Sequence, residues 1–106
     1  MTMILDERHQ PVQIVLDQVI ESAKPEAVFL YNCKYYWGGE LTSFKLCVIC
    51  DCSDKRRLLS EIFDVDCEIP FDILLYTKEQ FDEFKDNPSA FAHRIFTKGT
   101  MLYGNE

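Results

Sequence analysis

The sequence has no apolar stretch near the ~18 residues that a membrane-spanning helix needs, so no membrane partner is expected. Its first residues, Met1 to Gln10, carry no apolar run of the secretory-signal kind, and the expected location is cytoplasmic. Basic residues are scarce, with eleven Lys and Arg against eighteen Asp and Glu, a net charge of −7. Binding to a phosphate backbone relies on cations that displace condensed counterions, so nucleic acid is not an expected partner either. Glycine and proline number only four each, which excludes collagen-like and low-complexity classes. Residues 1–106, with 47% hydrophobic side chains, suit a single folded domain with its own core.

Histidine is also rare, His9 and His93 standing alone, and this bears on the five cysteines. An odd count without a secretion signal fits free thiols in a reducing compartment better than a disulfide framework. Cys47, Cys50 and Cys52 invite a metal reading, but their segment is β-branched and apolar. Period-2 alternation would set Cys47 on the face opposite Cys50 and Cys52, and no second ligand pair exists to complete a zinc site. The expectation is therefore buried cysteines acting as small apolar residues, without a metal.

The chain divides into alternating patterns. Val12, Val15, Leu16, Val19, Ile20 and Ala23 recur at helical spacing, so a helix is expected over about 10–23, with Pro11 in its first turn and Pro25 beyond its end. Ala27 to Tyr31 is a continuous apolar run, the signature of a central strand, expected to stop at Asn32. After the Gly38-Gly39 break, Thr42 to Asp51 reads as a second strand. Ser53 or Asp54 then caps a helix with Leu58, Leu59, Ile62 and Phe63 on its apolar face and Lys55, Arg56 and Arg57 in water. A third strand is expected over 67–76, with Ile69, Phe71, Ile73 and Leu75 on one face and Glu68, Asp72, Leu74 and Tyr76 on the other. Pro70 places that strand at an edge or near its own start. Thr77 to Gln80 has capping-box spacing and opens a helix with Phe81 and Phe84 inward. Asn87-Pro88 caps a last helix with Ala90, Phe91, Ile95 and Phe96 as its buried stripe, ended by Gly99. The expected class is α/β (α+β), a mixed three- to four-stranded sheet with helices packed against it.

Asp64, Asp66 and Glu68 alternate, and on an extended strand they would share a face, with Asp72 joining them. Carboxylates at i and i+2 of a strand are one way to hold two metal ions for phosphoryl transfer. The plainer alternative is a solvated loop after the helix.

The order of elements and several motifs resemble the minimal nucleotidyltransferases of the DNA polymerase beta superfamily over about residues 26–103. The matching pieces are Val28 to Tyr31, Ser43 ahead of the second strand, Phe71-Asp72-Ile-Leu-Leu-Tyr76-Thr77, Glu79 to Phe84, Arg94-Ile-Phe, and Gly99-Thr-Met-Leu-Tyr103. In that family the first strand ends in Gly-Ser and holds nucleotide phosphates. The second strand carries two metal-binding carboxylates after a Ser, and the third adds one more. The resemblance assigns the phosphate-holding place to Asn32, Cys33, Lys34 and Ser43, the carboxylate pair to Phe44 and Leu46, and the third carboxylate to Asp72.

The departures fall on the chemistry. Asn32-Cys33 replaces Gly-Ser, and Phe44 and Leu46 have no oxygen to offer magnesium, leaving only Asp72. A shifted register does not repair this, because the flanking acids Glu40 and Asp51 would lie ~35 Å apart along an extended strand. The face around Asp72 is expected to be lined by Phe44 and Leu46, with Asp72 either bonded to a backbone or Lys34 donor or exposed at an edge. The implied function is a nucleotidyltransferase-like scaffold without metal-dependent catalysis, acting as a binding or regulatory module, with no cofactor. Tyr35, Tyr36 and Trp37 are the candidate interaction surface. The family implies as partner a small helical-bundle protein, as in toxin–antitoxin pairs of HEPN type, and a homodimer is the other option. The alternative is an active enzyme moving NMP from an NTP, with magnesium, to a protein or small molecule. It requires carboxylates that the sequence does not place. Metal-free nucleotide sensing by Lys34 and the aromatics is a third option.

Overall fold

The computed structural model describes residues 9–104, so most of the N-terminal segment weighed above as a possible signal lies outside the described residues. Helix α1 spans Gln10–Ala23, with Pro11 in its first turn. Its Val12, Val15, Leu16 and Val19 are buried on one stripe, the 3.6-residue spacing made solid. Lys24 ends it in the left-handed conformation (φ 47°), donating its N–H to the Ile20 carbonyl at 3.1 Å, and Pro25 prevents continuation.

Four strands follow: β1 (Ala27–Tyr35), β2 (Leu41–Ile49), β3 (Phe71–Tyr76) and β4 (Thr100–Gly104). They form one mixed sheet in the order β3-β2-β1-β4, with β2–β3 parallel and the other two pairings antiparallel. Between them lie α2 (Lys55–Phe63), α3 (Lys78–Phe84) and α4 (Phe91–Lys98). The parallel β2–β3 pair needs a crossover, which α2 supplies, whereas β1 and β2 need only the glycine turn.

Apolar residues at alternate positions of β2 divide the core into two layers. Phe44, Leu46, Val48 and Cys50 face α1 and α2, together with Val28, Leu75 and Leu102. Cys47 and Ile49 face the other way, with Phe29, Phe81, Ala92 and Ile95 beneath α3 and α4. The pleat thus separates Cys47 from Cys50 and Cys52, as period 2 requires, and the helices cover both faces.

The caps follow local chemistry. Asp54 Oδ1 accepts from the Arg57 N–H at 3.1 Å, and Thr77 and Gln80 exchange both bonds of a capping box, each 3.1 Å. At Gly99, which ends α4, a Cβ would lie 2.5 Å from the Ile95 carbonyl oxygen, so only glycine lets the chain turn tightly into β4.

Several expectations change. Strand β1 does not stop at Asn32 but runs to Tyr35, because a bulge at Tyr31 lets pairing with β2 resume at Asn32 and Lys45. Strand β3 begins only at Phe71, after Pro70, so residues 67–70 are loop. It is an edge strand, consistent with that proline. Phe84, Phe91 and Phe96 are all more than two-fifths exposed, since two short helices bury only Phe81, Ala92 and Ile95 on the sheet. Asn87 does not cap α4: it closes a turn to Ser89 and Ala90, and α4 starts at Phe91. The histidines are half-buried and hydrogen-bonded, His93 Nδ1 to the Lys85 carbonyl at 2.7 Å and His9 Nε2 to the Tyr35 hydroxyl at 2.9 Å. Of the cysteines, Cys33 and Cys67 are only partly buried.

Truncation of the fully buried Leu16 to Ala should cost about 2–5 kcal/mol by urea unfolding, from lost burial plus the residual cavity. Thr77→Ala, which removes one arm of the capping box, should cost about 1 kcal/mol.

Candidate functional site

The positions that the resemblance assigns to metal ligands are core. Phe44 is 1% exposed and Leu46 0%. The Phe44 ring stacks on Phe71 at 5.6 Å between centroids, and Phe71 stacks on Phe63 of α2 at 4.7 Å, so three aromatic rings bridge β2, β3 and α2.

Asp72 does not share that face. The parallel register pairs Phe44 with Phe71, Lys45 with Asp72 and Leu46 with Ile73. Paired residues of neighbouring strands lie on the same face, so Asp72 belongs with Lys45 and Phe44 with Phe71. The expectation that Phe44 and Leu46 line the surroundings of Asp72 is therefore overturned, because parity assigned within each strand leaves the offset between strands undetermined. Asp72 is exposed on the edge strand, where a carboxylate oxygen accepts from the Ile73 N–H at 3.2 Å. One carboxylate on one face and two apolar side chains on the other do not fit a pair of magnesium ions.

The phosphate-holding residues are divided in the same way. Asn32 pairs with Lys45 and Lys34 with Ser43, placing these four on the Asp72 face, whereas Cys33 pairs with Phe44 and packs against the α1/α2 core. Burial pushes the Cys33 thiol up, opposed in part by a hydrogen bond with the Tyr35 side chain. Thr42 is the extra residue of a second irregularity, and its hydroxyl donates to the Lys34 carbonyl at 3.1 Å.

Asp64, Asp66 and Glu68 are exposed between α2 and β3. Without a strand there, Glu68 does not join Asp72. Instead Asp66 and Glu68 share a shallow groove with Glu40, which no sequence spacing brings together with them. Among the described residues, no group of three His, Cys, Asp or Glu could hold a metal ion, and no helix is long and apolar enough to cross a membrane.

The hairpin between β1 and β2 presents Tyr35, Tyr36 and Trp37. Gly39, at φ 91°, donates its N–H to the Tyr36 carbonyl at 2.9 Å, and the Tyr36 N–H donates to Glu40 at 2.7 Å. A left-handed residue closing a tight turn favours glycine. Gly38 has open space where a side chain would be. The turn holds Trp37 fully in solvent, at 103% exposure, beside Tyr36 at 69%. His9 packs edge-on against Tyr35, anchoring the base of the hairpin to the start of α1.

Burial pushes the Cys47 thiol up to about 12 and the Cys50 thiol to about 11. Tyr31 is likewise raised to about 12, first by burial and then by the negative potential of Cys47 and Asp72. These groups are protonated at neutral pH and act as packing, not nucleophiles.

No protein-family model, curated protein or solved structure matches this chain.

Phe44→Asp and Leu46→Asp should each destabilise by ~3–5 kcal/mol or prevent folding, since each buries a carboxylate among aromatic and aliphatic groups. Lys45→Gln, exposed on the other face, is the control and should change the urea midpoint little. The contribution of the buried Cys47 thiol to stability should be complete below pH 9 and be lost as the pH rises toward 12. The unfolded thiol ionises near 9.0, whereas folded Cys47 resists until about 12. In Cys47→Ala the urea midpoint should depend less on alkaline pH.

Proposed function

We propose that this chain is a non-catalytic binding module on a nucleotidyltransferase-like scaffold, and that its partner contact is the Tyr36–Trp37 hairpin tip. The observation that carries the reading is Trp37, wholly exposed on a turn fixed by two backbone hydrogen bonds. A folded domain gains nothing for its own stability from an indole held in water, while Trp and Tyr are the side chains most enriched at binding hot spots. Burial of Phe44 and Leu46, the two residues that the resemblance would assign to magnesium ligands, supports the same reading, as does the stacking of Phe44 on Phe71 and of Phe71 on Phe63.

The partner is a protein, either a small helical bundle or a second copy of this chain. Nucleic acid is disfavoured by the net charge of −7. The unpaired thiols support a reducing, cytoplasmic location.

A photocrosslinking side chain placed at position 37 should capture one defined partner or a second copy, and one at the exposed Glu79 should not. Equal capture at both sites would sink the hairpin reading. Calorimetry with ATP and magnesium should give no binding heat, and labelled nucleotide should not be transferred. Turnover dependent on magnesium would instead favour the active enzyme.

A further inference from the structure

A second surface adjoins the hairpin. The start of α1, the start of β2 and the loop ahead of β3 enclose a shallow groove of about 670 Å³. Its floor is apolar: Pro11, Ile14, Leu41 and Ile69. Ile14 stands 41% exposed on a helix whose other aliphatic face is fully buried. The charged residues that line it, Glu40, Asp66 and Glu68, are all acidic and exposed, with no lysine or arginine among the described lining residues. Away from the groove, Arg57 pairs with Glu61 and Lys85 with Asp82. Carboxylates of one sign around a concave apolar floor concentrate a negative potential, which a bound cation would relieve.

The geometry points to a docking site for a cationic segment of a partner protein, an apolar anchor flanked on both sides by Lys or Arg. The anchor covers Ile14 and Ile69, and the flanking cations meet Glu40, Asp66 and Glu68. Charge complementarity selects this occupant over a second copy docked groove to groove, because two acidic rims of the same chain would repel. The groove is continuous with the hairpin through Glu40, whose carbonyl accepts the Tyr36 N–H, so one partner can span both. The inference deepens the binding-module reading by giving the partner its chemistry, and rests on that reading for the existence of a protein partner.

The test is selection of random peptides of about 16 residues displayed on phage against three immobilised proteins. These are wild type, the charge reversal Glu40→Lys/Asp66→Lys/Glu68→Lys, and the tip variant Tyr36→Ala/Trp37→Ala. Wild type should enrich sequences with an apolar residue flanked by Lys or Arg. A selected peptide, synthesised, should bind about tenfold or more weakly to the charge reversal, more weakly as salt rises, and shift the amide resonances of Ile14, Glu40 and Glu68. Should the reversal unfold, the neutral set Glu40→Gln/Asp66→Asn/Glu68→Gln replaces it, with the same direction of effect. The inference is overturned if nothing is enriched, if enriched peptides carry no cationic bias, or if they bind the reversal as tightly as wild type. It is equally overturned if those resonances shift only with protein concentration, which would place a second copy in the groove. The two readings fail separately: binding lost in the tip variant alone leaves the hairpin and removes the groove, and binding lost in the reversal alone does the opposite.

Discussion

Strand β2 is buried on both faces from Leu46 to Ile49, and the placement of the other elements follows from covering it. Helices α1 and α2 close over Phe44, Leu46 and Val48, while α3 and α4 close over Cys47 and Ile49. A strand covered on both sides accommodates no charge without a large desolvation cost. The Phe44–Phe71–Phe63 stack fixes the offset between β2 and β3, and with it the face on which every residue of β3 lies. Once Phe71 is under α2, Asp72 must be outside, at the edge.

Two irregularities interrupt the β1–β2 ladder, at Tyr31 and Thr42. Each inserts a residue, so parity is reset without moving apolar side chains out of the core. Between them β1 and β2 carry Asn32, Lys34, Ser43 and Lys45 on one face, and the hairpin extends past β4, which reaches only to Leu30. The tip therefore projects from the sheet, and its aromatics are left outside both core layers. The same arrangement brings Glu40 beside the loop that carries Asp66 and Glu68.

Much of the local structure was legible because its causes are local. The α1 stripe depends on residues three and four apart, the capping box on Thr77 and Gln80, and the separation of Cys47 from Cys50 on the pleat alone. The site was less legible. Placing Phe44 and Leu46 around Asp72 required the inter-strand offset, which no spacing within either strand contains. The acids after α2 alternated as a strand would, yet Pro70 delays β3 to Phe71 and leaves them in a loop. Phe84, Phe91 and Phe96 matched an inward stripe, but the area of sheet available to two short helices is filled by Phe81, Ala92 and Ile95. For these phenylalanines burial is set by what lies opposite, and hydrophobicity alone does not decide it.

By itself the sequence determined the class of fold, the succession of helices and strands, and the caps at Asp54 and Thr77. Each of these is a property of a residue or of a short window of chain. Only the tertiary structure decided that Asp72 lies on the face opposite Phe44 and Leu46, that Trp37 is left wholly in water, and that Glu40 lines one groove with Asp66 and Glu68. Those outcomes depend on strand register and on which surfaces the helices have area to cover. Both are settled by contacts between residues distant in the chain, where the pattern of any one segment carries no information about its partner.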